Sequence, residues 1–465
     1  MESRSNVLRA INPATGELVH EYPEHDDAEV EQRLAGARQG FKRWRDLPVE
    51  KRAQHMRQFA HELRAAKESL ARLIVREMGK PITAARSEIE KSAACCEYFA
   101  DHGPAMIAPQ TRKSDADESY IRFDPMGPIL AIMPWNFPVW QVVRFAAPNL
   151  MAGNVGVLKH APSMPGTALT IEQLFAKAGF PAGVFTTLLL RNERARDVIE
   201  HPAIAGVTFT GSVKAGGIVA SQAGAVRKKT VLELGGSDPF IVLADADIPT
   251  TAKLAAQARC INSGQSCIAA KRFIVDAPVA EAFTAAFVAA MRAMKVGDPM
   301  RDETQVGPLA REDLRQTLER QVQQTLDSGA KLLYGGERIE GPGFYYLPTV
   351  IAGVRPGMAA FDEETFGPVA AVTVAEDADH AIELANRSSY GLGSSIWTRN
   401  IDRAREMAGR IQAGCVFINE LVQSDPRLPF GGIKDSGYGR ELSELAMYEF
   451  VNVKSVVLRR SPTPR

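Results

Sequence analysis

The sequence predicts an α/β protein with a doubly wound parallel sheet, joined to a second α/β unit. Three observations carry that prediction. From about residue 120 short β-like runs alternate with helical stretches, as in a parallel sheet with helical crossovers. After Asp238 the alternation begins afresh. The chain has 465 residues, 45% apolar and 24% charged. That is enough for about three domains of roughly 150 residues, or two with insertions, and it excludes a disordered or fibrous chain.

Residues 28–99 read as helical: Val30, Leu34, Ala37 and Phe41 recur at three and four, then Met56, Phe59, Leu63 and Leu70. These are packed helices without evident chemistry, and Cys95-Cys96 reads as a pair of small apolar residues. β-Like runs follow at 128–133, 155–158, 184–190, 207–210, 231–234 and 240–242, with helices such as 166–177 and 194–200 between them. Nucleotides bind such sheets at the carboxyl ends of the strands. Further on, 248–260, 280–294 and 316–328 read as helices, and 272–275 and 331–334 as strands. Residues 451–458 alternate polar and apolar like an edge strand. Such an edge needs pairing or cover, which a neighbouring subunit can supply.

Lys plus Arg and Asp plus Glu are both 55. No basic stripe favours a nucleic-acid partner, and a neutral chain argues against acidic membranes. No apolar run reaches the ~18 to 20 residues of a membrane span. The beginning carries Arg4 and Arg9 and passes directly into the turn Asn12-Pro13-Ala14-Thr15-Gly16, unlike a signal or transit peptide. Five cysteines without a C-x-x-C pair fit a reducing, cytoplasmic setting. Eight scattered histidines show no ligand spacing, so no metal is expected.

Several segments carry candidate chemistry. In Asn262-Ser263-Gly264-Gln265-Ser266-Cys267 the small residues place the cysteine in a turn beside a helix, where a thiol can be exposed and its pKa lowered. Glu233 stands between leucines before Gly235-Gly236, where partial desolvation raises a carboxyl pKa towards that of a general base. Phe209-Thr210-Gly211-Ser212 turns from a strand into a helix, whose N-terminus attracts phosphate. In Pro134-Trp135-Asn136-Phe137-Pro138 the Asn136 amide can donate to a developing oxyanion. Lys159, ending a strand, can meet a ribose or phosphate. Each has an ordinary structural explanation when taken alone.

Together, Asn136, Glu233 and Cys267 with their flanks resemble the aldehyde dehydrogenase superfamily, as do Glu364-Thr365-Phe366-Gly367-Pro368, Pro429-Phe430-Gly431-Gly432 and Asn12-Pro13-Ala14-Thr15-Gly16. The likeness runs from about residue 7 to 458 and is strongest to a bacterial branch of NAD(P)-dependent succinate-semialdehyde dehydrogenases. It implies an aldehyde dehydrogenase-like fold. The NAD(P)-binding domain would be 1–115 and 127–236, the catalytic domain 237–450, and a small β oligomerisation extension 116–126 with 451–465.

The resemblance also implies roles. Cys267 would be the nucleophile, Asn136 an oxyanion donor, and Glu233 the base that hydrolyses the thioester to a free acid. Trp135, Lys159, Gly211 and Ser212 would line the cofactor's ribose and phosphates, and Leu234, Glu364 and Phe366 its nicotinamide end. Where strictly NAD-dependent relatives often carry a glutamate, this chain has Pro162 and then Ser163, so NAD or NADP is expected. Residues 188–194 lack the glycine-rich loop common in relatives.

For succinic semialdehyde, Arg144 and Ser424 match two of three carboxylate-binding positions, but the second arginine is Ile261. Arg427 or another residue would have to compensate. Ala269 stands where some relatives place a second, switching cysteine. Other short, medium-chain or aromatic aldehydes remain alternatives, with Arg144 structural. So do a catalytically silent cofactor-binding relative and a cysteine hydrolase. A homodimer or homotetramer is expected.

Overall fold

The computed structural model describes residues 6–461. Residues 1–5, including Arg4, and 462–465, the end of the expected extension, lie outside the described residues. Two sheets dominate. The first has six strands: Gly437–Tyr438, Lys229–Glu233, Gly206–Thr210, Pro128–Met133, Val155–His160 and Phe185–Thr187, in that spatial order. All neighbours are parallel except Gly437–Tyr438, which runs antiparallel to Lys229–Glu233 and sets Gly437 opposite Glu233. Every residue of Pro128–Met133, Val155–His160 and Gly206–Thr210 is buried. Continuous apolar runs of this kind belong to a sheet covered on both faces.

The second sheet has seven strands, with Val369–Ala375, Arg272–Asp276, Pro239–Val242 and Gly393–Trp397 at its centre. Successive side chains point to opposite faces. Ile241, Ile274, Ile351 and Ile396 thus enter one core, while Phe240, Val242, Phe273, Val275 and Trp397 enter the other. The strands Thr349–Ala352, Val369–Ala375 and Gly393–Trp397 carry no pattern that distinguishes them in the sequence. Their runs are short, and without partners in view a buried strand looks like a piece of helix.

The region 28–99 forms four helices, Asp27–Arg45, Val49–Ala65, Lys67–Met78 and Ile82–Met106. The first is started by a reciprocal cap: the Glu29 amide donates to Asp26 Oδ1 at 2.8 Å and the Asp26 amide to Glu29 Oε2 at 3.1 Å. Cys95 and Cys96 are fully buried on the fourth. The β-like stretch 184–190 shortens to Phe185–Thr187.

The helix Trp140–Ala152 is buried on every side. That explains its apolar composition and makes Arg144, its one charged residue, a group that needs a partner. Its N-terminus is held from outside. Glu88, on Ile82–Met106, accepts from the amides of Val139 at 2.8 Å and Trp140 at 2.9 Å and is ion-paired with Lys80. The Lys80 ammonium lies 3.9 Å from the centroid of the Phe137 ring. Burial pushes the Lys80 pKa down and Glu88 opposes that. Glu88→Gln leaves the lysine charge buried and unpaired, so it should destabilise the fold by about 3 to 5 kcal/mol. A lower calorimetric unfolding temperature, matched by no loss in an exposed Glu→Gln control, checks this.

Val451–Leu458 pairs antiparallel with Glu118–Pro125, from Val451 opposite Pro125 to Leu458 opposite Glu118, and Gln110–Thr111 completes a three-stranded sheet. The alternation in 451–458 does not produce a buried face within this chain: Val453, Val457 and Leu458 are exposed. No helix among the described residues is long and apolar enough to cross a membrane.

Candidate active site

Cys267 sits in a turn that follows the helix Ile248–Cys260. Three consecutive residues before it are left-handed, with φ of 52° at Asn262, 57° at Ser263 and 76° at Gly264. Such backbone costs about 1 to 3 kcal/mol per non-glycine residue and persists only when the surroundings fix it. They do. Asn262 Nδ2 donates to the carbonyls of Asn136 at 2.8 Å and Gln265 at 3.1 Å, and Ser263 Oγ accepts from the Gly307 amide at 2.9 Å. A Cβ on Gly264 would lie 2.2 Å from the Gly367 carbonyl carbon, so only glycine fits.

Below the turn, the buried Lys271 ammonium donates to the carbonyls of Ser266 at 3.0 Å, Cys267 at 2.8 Å and Ala269 at 3.1 Å. Its position, four residues after Cys267, escaped the sequence reading; a lysine that close to a turn cysteine was the available signal. Cys267 is half-buried, and its backbone N–H donates to no protein group among the described residues. The expected lowering of the thiol pKa is corrected by the structure. Burial pushes it up to about 12, while Arg144 and Lys271 act in the opposite sense.

Asn136 is brought to this turn directly: its Nδ2 donates to the Gln265 carbonyl at 3.1 Å, and its Oδ1 accepts from Gln141 Nε2 at 3.1 Å. One Nδ2 hydrogen is thereby used, the amide orientation is fixed, and the second hydrogen remains available. Glu233 ends its strand fully inside the protein, with Oε1 unpaired and 2.7 Å from where a Cβ on Gly431 would stand. The glycine of the Pro429-Phe430-Gly431-Gly432 segment thus leaves room for the carboxyl group. Burial raises the Glu233 pKa well above the ordinary value, with Arg144 opposing and Glu441 adding to the rise.

Arg144 lies among these groups, acting on the charges of both Glu233 and Cys267. It is ion-paired with Glu441 and stacked on Phe430 at 4.7 Å. The resemblance matches it to a carboxylate-binding arginine, with a structural role as the alternative; in the structure its charge is paired with the buried Glu441. Glu441 was missed, because nothing in its local sequence distinguishes it. Ser424 is buried and its Oγ accepts from Lys91 Nζ at 2.9 Å, a contact across 333 residues. Ile261 is half-buried and apolar. Arg427 is engaged by Asp425 at 2.5 Å.

The nucleotide-type sheet ends beside this turn. Lys159 is buried and donates to Asn192 Oδ1 at 2.8 Å and the His160 carbonyl at 3.2 Å; burial pushes its pKa down to about 8. Pro162 and Ser163 follow, half-buried. Ser212 caps the helix Val213–Ala225, its Oγ accepting from the Ala215 amide at 3.3 Å, and Gly211 precedes it. Thr210 Oγ1, at the strand's carboxyl end, is buried with no partner. An orphaned hydroxyl, a helix N-terminus and a lysine that forms no ion pair among the described residues suit an anionic dinucleotide.

Trp135 and Phe366 meet edge to face at 5.8 Å. Leu234 is buried against Gly216. Glu364 accepts from the Gly236 amide at 3.0 Å and lies 3.7 Å from Lys271 Nζ.

Asn136 is thus tied to the Cys267 turn, and Arg144 acts on the charges of both Cys267 and the desolvated Glu233, at the carboxyl end of a nucleotide-type sheet. The chain belongs to the aldehyde dehydrogenase family, whose model matches residues 1–456. It is 51% identical over 447 residues to the succinate semialdehyde dehydrogenase [NAD(P)+] Sad of Escherichia coli (strain K12), covering 96% of this chain and 97% of that one. It is 47% identical to a probable succinate-semialdehyde dehydrogenase [NADP(+)] of Synechocystis, over 97% of this chain and 99% of that one. The succinic semialdehyde dehydrogenase of Streptococcus pyogenes, solved with NADP+, superposes with a TM-score of 0.95 at 38% identity, over 97% of this chain and 100% of that one.

Proposed function

We propose that this protein oxidises a short aldehyde, succinic semialdehyde first, to the carboxylic acid with NAD or NADP. The observation that carries the chemistry is that Asn136 is bonded into the Cys267 turn while Arg144 acts on the charges of both Cys267 and Glu233. The choice of aldehyde draws on the likeness to the E. coli and Synechocystis relatives.

Cys267 Sγ, its proton released to solvent, attacks the aldehyde carbon as the thiolate. The new oxyanion accepts from the free Nδ2 hydrogen of Asn136 and from the Cys267 N–H, donors already fixed in place. Arg144 and Lys271 favour the thiolate that burial disfavours. The bound dinucleotide supplies a hydride acceptor. Trp135, Lys159, Pro162, Ser163, Gly211 and Ser212 would hold its ribose and phosphates, and Leu234, Glu364 and Phe366 its nicotinamide end. No carboxylate stands at Pro162 or Ser163 to repel a 2′-phosphate, which supports use of either cofactor. Loss of hydride leaves the acyl group on Cys267 as a thioester. Glu233 then takes a proton from water, the hydroxide adds to the thioester carbon, and the acid leaves as the thiol is restored.

The division into NAD(P)-binding, catalytic and oligomerisation segments carries over as part of this reading. The exposed Val453, Val457 and Leu458 on an edge strand support a homodimer or homotetramer joined through that sheet. Cysteines free of disulfides suit the cytoplasm.

Reduced-cofactor absorbance tests the reading, with succinic semialdehyde and butyraldehyde compared under NAD and NADP separately. Succinic semialdehyde is expected to be turned over with at least about tenfold higher kcat/KM, the worth of one charge-assisted hydrogen bond. Equal or better turnover of butyraldehyde would reject the carboxylate part.

A further inference from the structure

Lys91 lies on the helix Ile82–Met106, in the region whose periodicity suggests packing alone. Its ammonium donates to Ser424 Oγ at 2.9 Å and lies over the Trp140 ring, 4.4 Å from the centroid. Among the described residues, none of the ion pairs includes it. The carboxylates that act on its charge are committed elsewhere, Asp425 to Arg427 at 2.5 Å and Glu88 to Lys80. Burial and the neighbouring Arg144 push its pKa down to about 8. A largely desolvated cation without a counter-ion is costly unless an anion arrives.

The surroundings say where that anion would stand. Trp140 and Arg144 are four residues apart on one helix and so share a face. Arg144 acts on the charges of both Cys267 and Lys91. Lys91 over the Trp140 ring thus lies on the same helix face as Arg144, whose charge in turn reaches Cys267. Arg144 is neutralised by Glu441, and Ile261 offers no charge. The unbalanced positive charge on this face is that of Lys91.

We propose that Lys91, together with the Ser424 hydroxyl, binds the distal carboxylate of a short ω-carboxyaldehyde. It supplies the charge absent at Ile261, while Arg144 acts as a positioning residue. The assignment rests on succinic semialdehyde as substrate. Met in place of Lys91 keeps an unbranched side chain and removes the charge; Arg restores it.

The test is the ratio of kcat/KM for succinic semialdehyde to that for butyraldehyde in the wild type, Lys91→Met and Lys91→Arg. The ratio should fall roughly 10- to 100-fold in Lys91→Met, the scale of an ammonium–carboxylate hydrogen bond. A higher KM for succinic semialdehyde should carry the change, and Lys91→Arg should recover part of it. A structural role would lower both aldehydes alike, leave the ratio within twofold of wild type, and overturn the assignment. If Lys91→Met does not fold, Lys91→Gln provides the same ratio. A wild type preferring succinic semialdehyde with an unchanged variant ratio rejects Lys91 alone. A wild type without that preference rejects the substrate reading and Lys91 with it.

Discussion

Cys267→Ala will lower kcat by roughly 10⁴-fold or more, because removing the nucleophile removes the covalent route altogether. A free aldehyde is a poor hydride donor; addition of sulfur creates the alkoxide that can expel hydride. Neighbouring thiols cannot take over. Cys260 is buried and Cys415 half-buried with its thiol directed at the Leu392 carbonyl, both have pKa values pushed up by burial, and neither lies in the turn fixed by Lys271. The fold should tolerate the change, since Asn262, Ser263, Gly264 and Lys271 shape this turn through groups other than the thiol. Reduced-cofactor absorbance with saturating aldehyde measures the effect, with the unfolding temperature as control. Retention of more than about one hundredth of wild-type turnover would exclude covalent catalysis through Cys267, whose loss in comparable enzymes is far larger.

Glu233→Gln will separate the two halves of the reaction. Glutamine keeps the shape that fits against Gly431 and cannot take a proton from water. Acylation and hydride loss should proceed, giving a burst of about one reduced cofactor per site. The following steady state should be slower by roughly 10² to 10⁴, the usual worth of a general base. Rapid-mixing absorbance reads both phases. A linear trace from the first turnover, at reduced rate, would place Glu233 before the thioester and remove it from deacylation.

The three groups of the proposed chemistry were visible because each sits in a short segment whose flanks serve the backbone. Gly264 is demanded by the approach of Gly367, Gly431 by the Glu233 carboxyl, and the two prolines around Asn136 keep that segment out of regular structure. Such constraints are local, and a sequence displays them.

Charge partners across the fold are another matter. Glu441 is paired with Arg144 across nearly three hundred positions, Lys91 with Ser424 across 333, and Glu88 with the amides of Val139 and Trp140 across 51 and 52. Each looks like an ordinary surface charge until the helix it faces is known. Cys267 shows the same limit in energetic form. Its turn was legible, but the sign of its pKa shift was not, because burial by distant segments outweighs the two nearby cations. The first sheet was read nearly strand for strand, since its buried runs are bounded by turns. Much of the second was missed where runs of four to seven residues carry no period of their own.

The most direct test of covalent acyl transfer on Cys267 is the intact mass of Glu233→Gln, quenched in acid during turnover of succinic semialdehyde with NADP. The expected result is a gain equal to one succinyl group, mapped by peptide digestion to Cys267 and absent from the Cys267→Ala, Glu233→Gln double variant. An unmodified protein, sampled while reduced cofactor is accumulating, would contradict it.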